Sequence, residues 1–271
     1  MSKIVFIGGG NMASCLIGGM LANGFSKREI LVGEPSAESR KRIASTHGVE
    51  VTEDNLSAVS SAQIIVLAVK PQVLSKVAQN LASGLSHQPT IVSIAAGIPV
   101  SALQNWLGAE LKIVRAMPNT PAMVQAGATG LFASQPLATD QQAIVEKIFG
   151  AVGYACWVEN ETLIDVVTAV SGSGPAYFFL VYEAMQQVGQ ELGLDSATAA
   201  QLTLHTALGA ARLALASDKS PGELRQQVTS PGGTTQAAVE SFQDQGLEKI
   251  FRAAMTSAVA RAKQMSTDFA N

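Results

Sequence analysis

A glycine-rich loop in the last quarter of the chain carries the residue types best suited to binding a small anion. Thr229-Ser230-Pro231-Gly232-Gly233-Thr234-Thr235 runs directly into a helical pattern over 236–243. Adjacent glycines let backbone N–H groups approach a ligand closely, and the first turn of a helix leaves N–H groups without partners. The motif predicts a carboxylate-sized site made by Ser230, Gly232, Gly233, Thr234 and Thr235. The alternative is an ordinary glycine loop capped by a threonine.

A second glycine turn, near the N-terminus, has the spacing of a dinucleotide-binding turn. The apolar run 4–7 leads into G-x-G-x-x-A, formed by Gly8, Gly10 and Ala13, and a helical pattern follows. In that motif the first glycine makes the turn, the second admits the pyrophosphate, and the third small residue lets helix and strand pack closely. We therefore assign Gly8, Gly10, Asn11, Met12 and Ala13 to a cofactor site. The alternative is a glycine-rich turn that binds no nucleotide.

The composition excludes several classes of function. Apolar residues make up 47% of the 271 residues, charged residues only 14%, and the formal net charge is −3. Such a balance offers no electrostatic footprint for nucleic acid. Cys15 and Cys156 have no metal-like spacing and read as core thiols. We therefore expect no metal. We expect no signal peptide, because a strand starts at residue 3 or 4, and no membrane span, because no apolar run approaches the length of a span. A cytoplasmic protein is the resulting expectation.

The first part of the chain alternates short apolar strands with helices. This pattern predicts a mainly parallel sheet covered on both faces. The predicted strands are 4–7, 30–32, 64–69, 90–94 and 112–115, completed by 130–133 and 155–158, with helices at 12–22, 36–46, 72–82, 99–106 and near 138–150.

The second part is predicted to be all helical, with helices at 162–192, 196–217, 221–228, 234–244 and 247–267. We place a domain boundary near 160, giving an α/β domain over 1–160 and a helical domain over 161–271. The helices are apolar on more than one face, as in 203–216, and such faces must be buried somewhere. We therefore expect the helical domain to form a dimer interface.

Residues after the second strand bear on the choice of cofactor. Glu34 stands where a carboxylate would bond the ribose 2′-hydroxyl of NAD and repel the 2′-phosphate of NADP. Ser36 and Arg40 follow closely and could instead serve a phosphate. The sequence leaves the choice between NADP(H) and NAD(H) open.

Three other strand ends carry candidate site residues, because ligands of open α/β sheets bind beyond the carboxyl ends of the strands. Ala68-Val69-Lys70-Pro71 follows the 64–69 strand, and its lysine is either a surface residue or a neighbour of the cofactor. Ala95 and Ala96 leave space for a flat ring. Asn119 offers an amide in a loop stiffened by two prolines, which could also be a simple rigid crossover.

The chemistry is narrowed by what the motifs do not contain. No histidine falls in a motif, and no lysine occurs between Lys147 and Lys219. A dinucleotide enzyme without a strong protein acid suits a substrate that already carries its charge, such as a cyclic imine, whose protonated form accepts hydride directly. The segment Ser171-Gly172-Ser173-Gly174-Pro175-Ala176-Tyr177 interrupts a long helical pattern, and either accommodates a partner helix or lets backbone approach a substrate.

In combination these motifs resemble those of the pyrroline-5-carboxylate reductase family over essentially the whole chain. The most specific are Arg115–Ala122, Ser171–Tyr177 and Thr229–Thr235. The resemblance implies an N-terminal Rossmann domain, doubly wound, and an all-α C-terminal dimerisation domain. It also implies reduction of 1-pyrroline-5-carboxylate to L-proline with NADP(H) or NAD(H), by hydride transfer to the iminium carbon C5. A homodimer is implied, with room for a higher assembly of dimers.

The resemblance also implies roles for individual residues. Thr235 matches the threonine that bonds the substrate nitrogen, and the Gly232–Thr234 backbone matches the carboxylate site. Ser173 joins the substrate residues. Asn55 matches a position near the adenine ribose, and Ala68–Pro71 a segment that touches the cofactor. Two alternatives stay open: a 3-hydroxyacid-type dehydrogenase, which needs a lysine that 162–192 lacks, and a non-catalytic nucleotide-binding module, which would not need the anion site.

Overall fold

A computed structural model describes residues 4–108 and 111–270, and within them the first part of the chain forms one eight-stranded sheet. The spatial strand order is β3-β2-β1-β4-β5-β6-β7-β8, and all neighbours pair in parallel except β6 and β7. Strand order reverses at β1, between β2 and β4. The strands are β1 (Ile4–Ile7), β2 (Ile30–Gly33), β3 (Glu50–Thr52), β4 (Ile64–Leu67), β5 (Thr90–Ser93), β6 (Ile113–Met117), β7 (Gly127–Ala133) and β8 (Gly153–Trp157).

Helices cover both faces of this sheet, because its central strands are apolar on both sides. Every residue of β1 and β4 is buried. Successive side chains point to opposite faces, so Phe6 joins one core cluster and Ile7 the other. The helices are α1 (Asn11–Ala22), α2 (Ala37–His47), α3 (Asn55–Val59), α4 (Pro71–Leu81), α5 (Val100–Leu107) and α6 (Thr139–Gly150).

The predicted fold class is confirmed, and the seven predicted strands are all present with ends that differ by up to three residues. Sequence reasoning missed β3 and α3. The first is short and largely polar, and the second has only five residues, so neither carries a clear period.

After Trp157 the described residues contain helices and no strand, as predicted. The interruption predicted at 171–177 is a π-helical turn, Thr168–Gly172, between two α-helices. Ser220 and Glu223 form a capping box at the start of their helix. The helices are α7 (Leu163–Val167), α8 (Gly174–Glu191), α9 (Ser196–Leu215), α10 (Pro221–Gln227), α11 (Thr234–Asp244) and α12 (Leu247–Ala270).

The chain divides into two compact units. The first contains residues up to Ser173 and those from Ser257 onward, and the second is Gly174–Thr256. α12 therefore begins in the second unit, and its last turns belong to the first. The sequence-based boundary near 160 falls before α7 and stays a prediction.

The second unit exposes large apolar side chains when the chain is taken alone. Phe179 is 59% exposed, Leu192 82% and Leu215 89%. The helical stretch Leu163–Glu191 is long and apolar enough to cross a membrane by length and composition alone, which the sequence analysis did not foresee. An apolar helix face of this size is typical of a surface that another chain covers.

Candidate active site

The first glycine turn joins β1 to α1 at the point where strand order reverses. Gly8 has φ +100°, and a Cβ added there would lie 2.8 Å from Val69 Cγ1 and 2.9 Å from Ala68 O. Only glycine fits this position, because both the backbone angle and the neighbouring strand end exclude a side chain. The turn therefore packs directly against Ala68 and Val69.

Gly10 differs from Gly8, because nothing in the protein requires it to be glycine. It has φ −70° and ψ −177°, and the nearest atom to an added Cβ is Ala68 O at 4.0 Å. Gly10 is the N-cap of α1 and offers no side-chain cap. The N–H groups of the first turn of α1 therefore have no side-chain cap, and Ala13 is fully buried. This arrangement matches the three functions of the dinucleotide motif.

Lys70 and Pro71 open the next helix in the switch region. Lys70 is the exposed N-cap of α4, and Pro71 occupies the first helical position. The exposure of Lys70 is compatible with both alternatives, a surface residue and a neighbour of the cofactor.

Glu34 lies at the end of β2 with both carboxylate oxygens bonded to backbone. Oε2 accepts from Gly9 N at 2.8 Å, and Oε1 accepts from Ser36 N at 2.9 Å. The carboxylate therefore stands beside the glycine turn, where the sequence placed it. Sequence reasoning missed that it also holds the turn in place. The Ser36 hydroxyl, assigned to the cofactor, caps α2 by accepting from Ser39 N.

The two arginines after β2 are also engaged. Arg40 donates to Glu34 O at 2.8 Å and to Pro35 O, and pairs with Glu53 at 3.0 Å. Arg42 donates to Gly9 O at 2.7 Å. Both guanidinium groups thus bind protein oxygens, and whether Arg40 could serve a phosphate stays a prediction.

Asn55 supplies a test of whether a cofactor fits here. It opens α3, and its Oδ1 is buried without a hydrogen-bond partner among the described residues. The same oxygen stands so close to Gly33, the last residue of β2, that a Cβ there would overlap it. An unpaired buried acceptor costs stability unless a ligand donates to it, and a ribose hydroxyl is such a donor. The residues present therefore fit a dinucleotide.

The loop after β5 is small and tightly held. Ala95 is buried and Ala96 half-buried, which leaves room on the exposed side for a flat ring. Gly97 has φ +74°, and a Cβ there would lie 2.8 Å from Cβ of Met265 in the last turns of α12. The loop at Gly97 thus packs against α12, a helix more than a hundred residues away in sequence.

Asn119, after β6, is 8% exposed and uses its amide to hold backbone. Its Oδ1 accepts from Ala128 N at 2.9 Å, and its Nδ2 donates to Ser171 O at 3.0 Å. One N–H remains for a ligand, so the predicted contact with the cofactor stays a prediction. The bond to Ser171 fixes the π-helical turn, which ends beside Ser173.

The Thr229–Thr235 motif forms a turn into α11 in the second unit. The N-cap of α11 is Gly233, with no side-chain cap, and Thr234 and Thr235 are the first two helical residues. The alternative of a threonine cap is therefore wrong. Gly232 has φ +72°, Gly233 N bonds Ser230 O, and both threonines are exposed. Helix N–H groups and two hydroxyls lie together here, as an anion site requires.

One residue of this turn was missed. Gln236 Oε1 accepts from Gly232 N at 2.7 Å, so, with Gly233 N bonded to Ser230 O, two of the predicted backbone donors already have partners. The signal was present in the sequence, since a glutamine one turn into the helix can reach back to the loop.

Taken together, a reversal point beside a glycine turn, the orphaned acceptor of Asn55 and an uncapped helix start beside two threonines fit a Rossmann-type oxidoreductase that uses a nicotinamide dinucleotide. Comparisons with known proteins narrow this class. Residues 161–265 match the family model for pyrroline-5-carboxylate reductase dimerisation, and residues 3–97 match that for NADP oxidoreductase, coenzyme F420-dependent. The chain belongs to the pyrroline-5-carboxylate reductase family.

Relatives from distant organisms match over nearly their whole length. The pyrroline-5-carboxylate reductase of Pseudomonas aeruginosa is 48% identical, with 97% of each chain covered, and that of Arabidopsis thaliana is 37% identical, with 97% and 95% covered. Among solved structures, that of the enzyme from Coxiella burnetii has a TM-score of 0.94 at 45% identity and 98% coverage of both chains. A Plasmodium falciparum pyrroline carboxylate reductase with NADP bound has a TM-score of 0.85 at 29% identity, again with 98% of both chains covered.

Proposed function

We propose that the chain reduces 1-pyrroline-5-carboxylate to L-proline with NADPH or NADH. The observation that carries the proposal is the full-length match to reductases of this name, at up to 48% identity over 97% of both chains. The geometry supports it with an open glycine turn for a dinucleotide and a second turn for a small anion.

The cofactor would be held mainly by the first unit. Gly10 leaves room for the pyrophosphate at the N-terminus of α1, where the helix dipole favours negative charge. Asn55 Oδ1 would accept from a ribose hydroxyl. Ala95 and Ala96 leave space for the ring that, when bound, supplies hydride to C5 of the substrate. Ala68–Pro71 and Asn119 border the same strand ends.

The substrate would be held by the turn that opens α11. Its carboxylate would accept from the backbone N–H groups that open α11, beginning with Thr234, since those of Gly232 and Gly233 already have partners in the turn. The Thr235 hydroxyl would hydrogen-bond the ring nitrogen. An imine that arrives protonated needs no strong protein acid, which agrees with the absence of histidine from every motif and of lysine between Lys147 and Lys219. Ser230 and Ser173 complete the proposed substrate residues.

For cofactor preference we propose NADH over NADPH. Glu34 places a carboxylate beside Gly9 and Ser36, and Arg40 already binds Glu53 and two carbonyls. A 2′-phosphate brought there would meet an unneutralised carboxylate.

We further propose a soluble, cytoplasmic homodimer that can build higher assemblies and that binds neither nucleic acid nor membrane. The dimerisation family model over residues 161–265 and the exposed apolar helix faces support the dimer. The formal net charge of −3 gives no attraction for nucleic acid.

A spectrophotometric assay tests the proposal. NADH and NADPH oxidation is followed at increasing concentrations of pyrroline-5-carboxylate, with 3-hydroxyacids and the oxidised cofactors as the competing reaction. Consumption of reduced cofactor only with the imine is expected. Activity with a 3-hydroxyacid would favour the dehydrogenase alternative, and cofactor binding without turnover of either substrate would favour a non-catalytic module.

A further inference from the structure

A part-buried ion pair outside the predicted site reaches the loop that follows β5. Arg115 lies in β6 with its side chain 6% exposed, and its Nη1 donates to Glu161 Oε1 at 2.8 Å. Glu161 lies two residues before the start of α7. Neither residue was assigned a function by the motifs, although Arg115 opens one of them.

The same carboxylate oxygen has a second partner. Val100 N donates to Glu161 Oε1 at 2.8 Å, across 61 positions of sequence. Val100 is the first residue of α5, whose N-cap, Pro99, has no side chain that can accept a hydrogen bond. Glu161 therefore caps α5 from a distance, and its negative charge lies at the positive end of the helix.

This contact fixes one end of the Ala95–Pro99 loop. The other end is held at β5, where Ile94 N donates to Leu67 O and Ala95 N bonds Ser93 Oγ at 3.4 Å. Its middle is packed against α12 at Gly97. Glu161 is the one charged side chain among these three anchors, and it is held in turn by Arg115.

We propose that Glu161 is a positioning residue for hydride transfer: held by Arg115, it fixes the Ala95–Pro99 loop and thereby the surface on which the nicotinamide ring lies. The inference rests on the proposed function, because that function assigns the loop to the ring. The pyrophosphate and ribose contacts are made elsewhere, at the glycine turn and Asn55. Loss of Glu161 should therefore slow the chemical step while leaving the affinity for the cofactor nearly unchanged.

The neighbouring charges define what each variant removes. Asp165 and Lys263 also act on this cluster, so Arg115 keeps a nearby carboxylate when Glu161 is replaced. Glu161→Ala removes both hydrogen bonds. Glu161→Gln keeps an oxygen that can accept from Val100 N and from Arg115, and so is the rescue variant. Glu159→Ala, an exposed glutamate two positions earlier, is the matched control.

A second pair of variants isolates the bond to α5. Val100→Pro removes the N–H group and also changes the side chain, and proline is favoured at the first position of a helix. Pro99 has φ −76° and ψ 159°, a conformation that the residue before a proline readily adopts. Val100→Ala reports the loss of side-chain packing alone. This pair leaves the Arg115–Glu161 ion pair intact, and it tests the proposal even if Glu161→Ala does not fold.

The experiment measures the dissociation constant of NADH by fluorescence, the emission spectrum and lifetime of the bound dihydronicotinamide, kcat, and the isotope effect with cofactor deuterated at C4. For Glu161→Ala and Val100→Pro we expect a dissociation constant within about threefold of the parent, kcat lower by about 10–100-fold, a larger isotope effect, and emission closer to that of free NADH. Glu161→Gln, Val100→Ala and Glu159→Ala should resemble the parent.

The proposal is overturned if Glu161→Ala or Val100→Pro melts earlier but retains the parental kcat, isotope effect and emission, because the contact would then be purely structural. It is also overturned if affinity for NADH falls as much as kcat does. Failure of the proposed function is recognised separately, since the parent itself would then not reduce the imine, while the emission of bound NADH would still report on the loop.

Discussion

Two glycines of the same turn should respond in opposite ways to a single added methyl group. At Gly10 the backbone is in an ordinary region and the nearest atom to a new Cβ is 4.0 Å away, so Gly10→Ala should change the free energy of unfolding by less than about 0.5 kcal/mol. At Gly8 the methyl group meets atoms at 2.8 and 2.9 Å, at φ +100°. About 1–2 kcal/mol of backbone strain and 1–3 kcal/mol of overpacking are expected there.

These energies translate into distinct melting and binding data. Gly8→Ala should lower Tm by on the order of 10 °C, whereas Gly10→Ala should leave it within a degree or two. In Gly10→Ala the new methyl group occupies the open space before α1, where the pyrophosphate would lie. The dissociation constants of this variant for NADH and NADPH should therefore rise at least about tenfold, or 1.4 kcal/mol. Differential scanning fluorimetry and fluorescence titration measure both. If Gly10→Ala bound the cofactors as well as the parent, the assignment of the turn to the pyrophosphate would be refuted. If the same variant melted early, the argument that a methyl group fits at Gly10 would be refuted.

Three further changes test other parts of the structure. Glu34→Ser should raise the NADPH-to-NADH ratio of kcat/KM about tenfold by removing a repulsive charge, and Glu34→Gln should do the same while its one amide oxygen keeps one of the two backbone hydrogen bonds; an unchanged ratio in both would mean that the carboxylate does not face the ribose. Thr235→Ala should lower kcat/KM for the imine about 10²-fold with unchanged cofactor affinity and Tm, because Gly233 and not Thr235 caps α11; normal turnover would remove Thr235 from the site. Burial raises the pKa of Asp165 more than Arg115 and Lys263 lower it. The folded state therefore holds its proton to higher pH than the unfolded chain, where the pKa is about 3.9, and stability is lost as pH rises from there through the folded pKa. As pH rises across that window, the free energy of unfolding of Asp165→Asn, measured by chemical unfolding, should increase relative to that of the parent. A difference between variant and parent that does not change with pH would contradict the raised pKa of Asp165.

The sequence predicted what depends on local pattern. Apolar runs such as those of β1 and β4 are buried on both faces, so their strand character and the mainly parallel sheet could be read directly. The glycine spacing at Gly8 and Gly10 likewise located the turn. β3 escaped prediction because a three-residue edge strand with one exposed glutamate has no pattern to detect.

What the sequence could not give depends on contacts between distant segments. The role of Glu34 toward the ribose stays a prediction, and its bond to Gly9 arises only when β1 and β2 lie side by side. Glu161 meets Val100 only because α7 and α5 pack near the same strand ends. No local spacing marks such a residue, and an isolated glutamate reads as a solvated surface charge.

The last turns of α12 set a limit on how this chain can vary in length. Ala262 is buried, and Met265 packs against Gly97 with Phe269 beside it. Each residue inserted into an α-helix rotates everything after it by about 100° and advances it by about 1.5 Å. A single insertion between Ala262 and Met265 would therefore turn Met265 and Phe269 away from the loop. Seven inserted residues would nearly restore the angle but move both side chains about 10 Å along the axis. Insertions and deletions in this stretch should consequently be selected against even where substitutions are accepted.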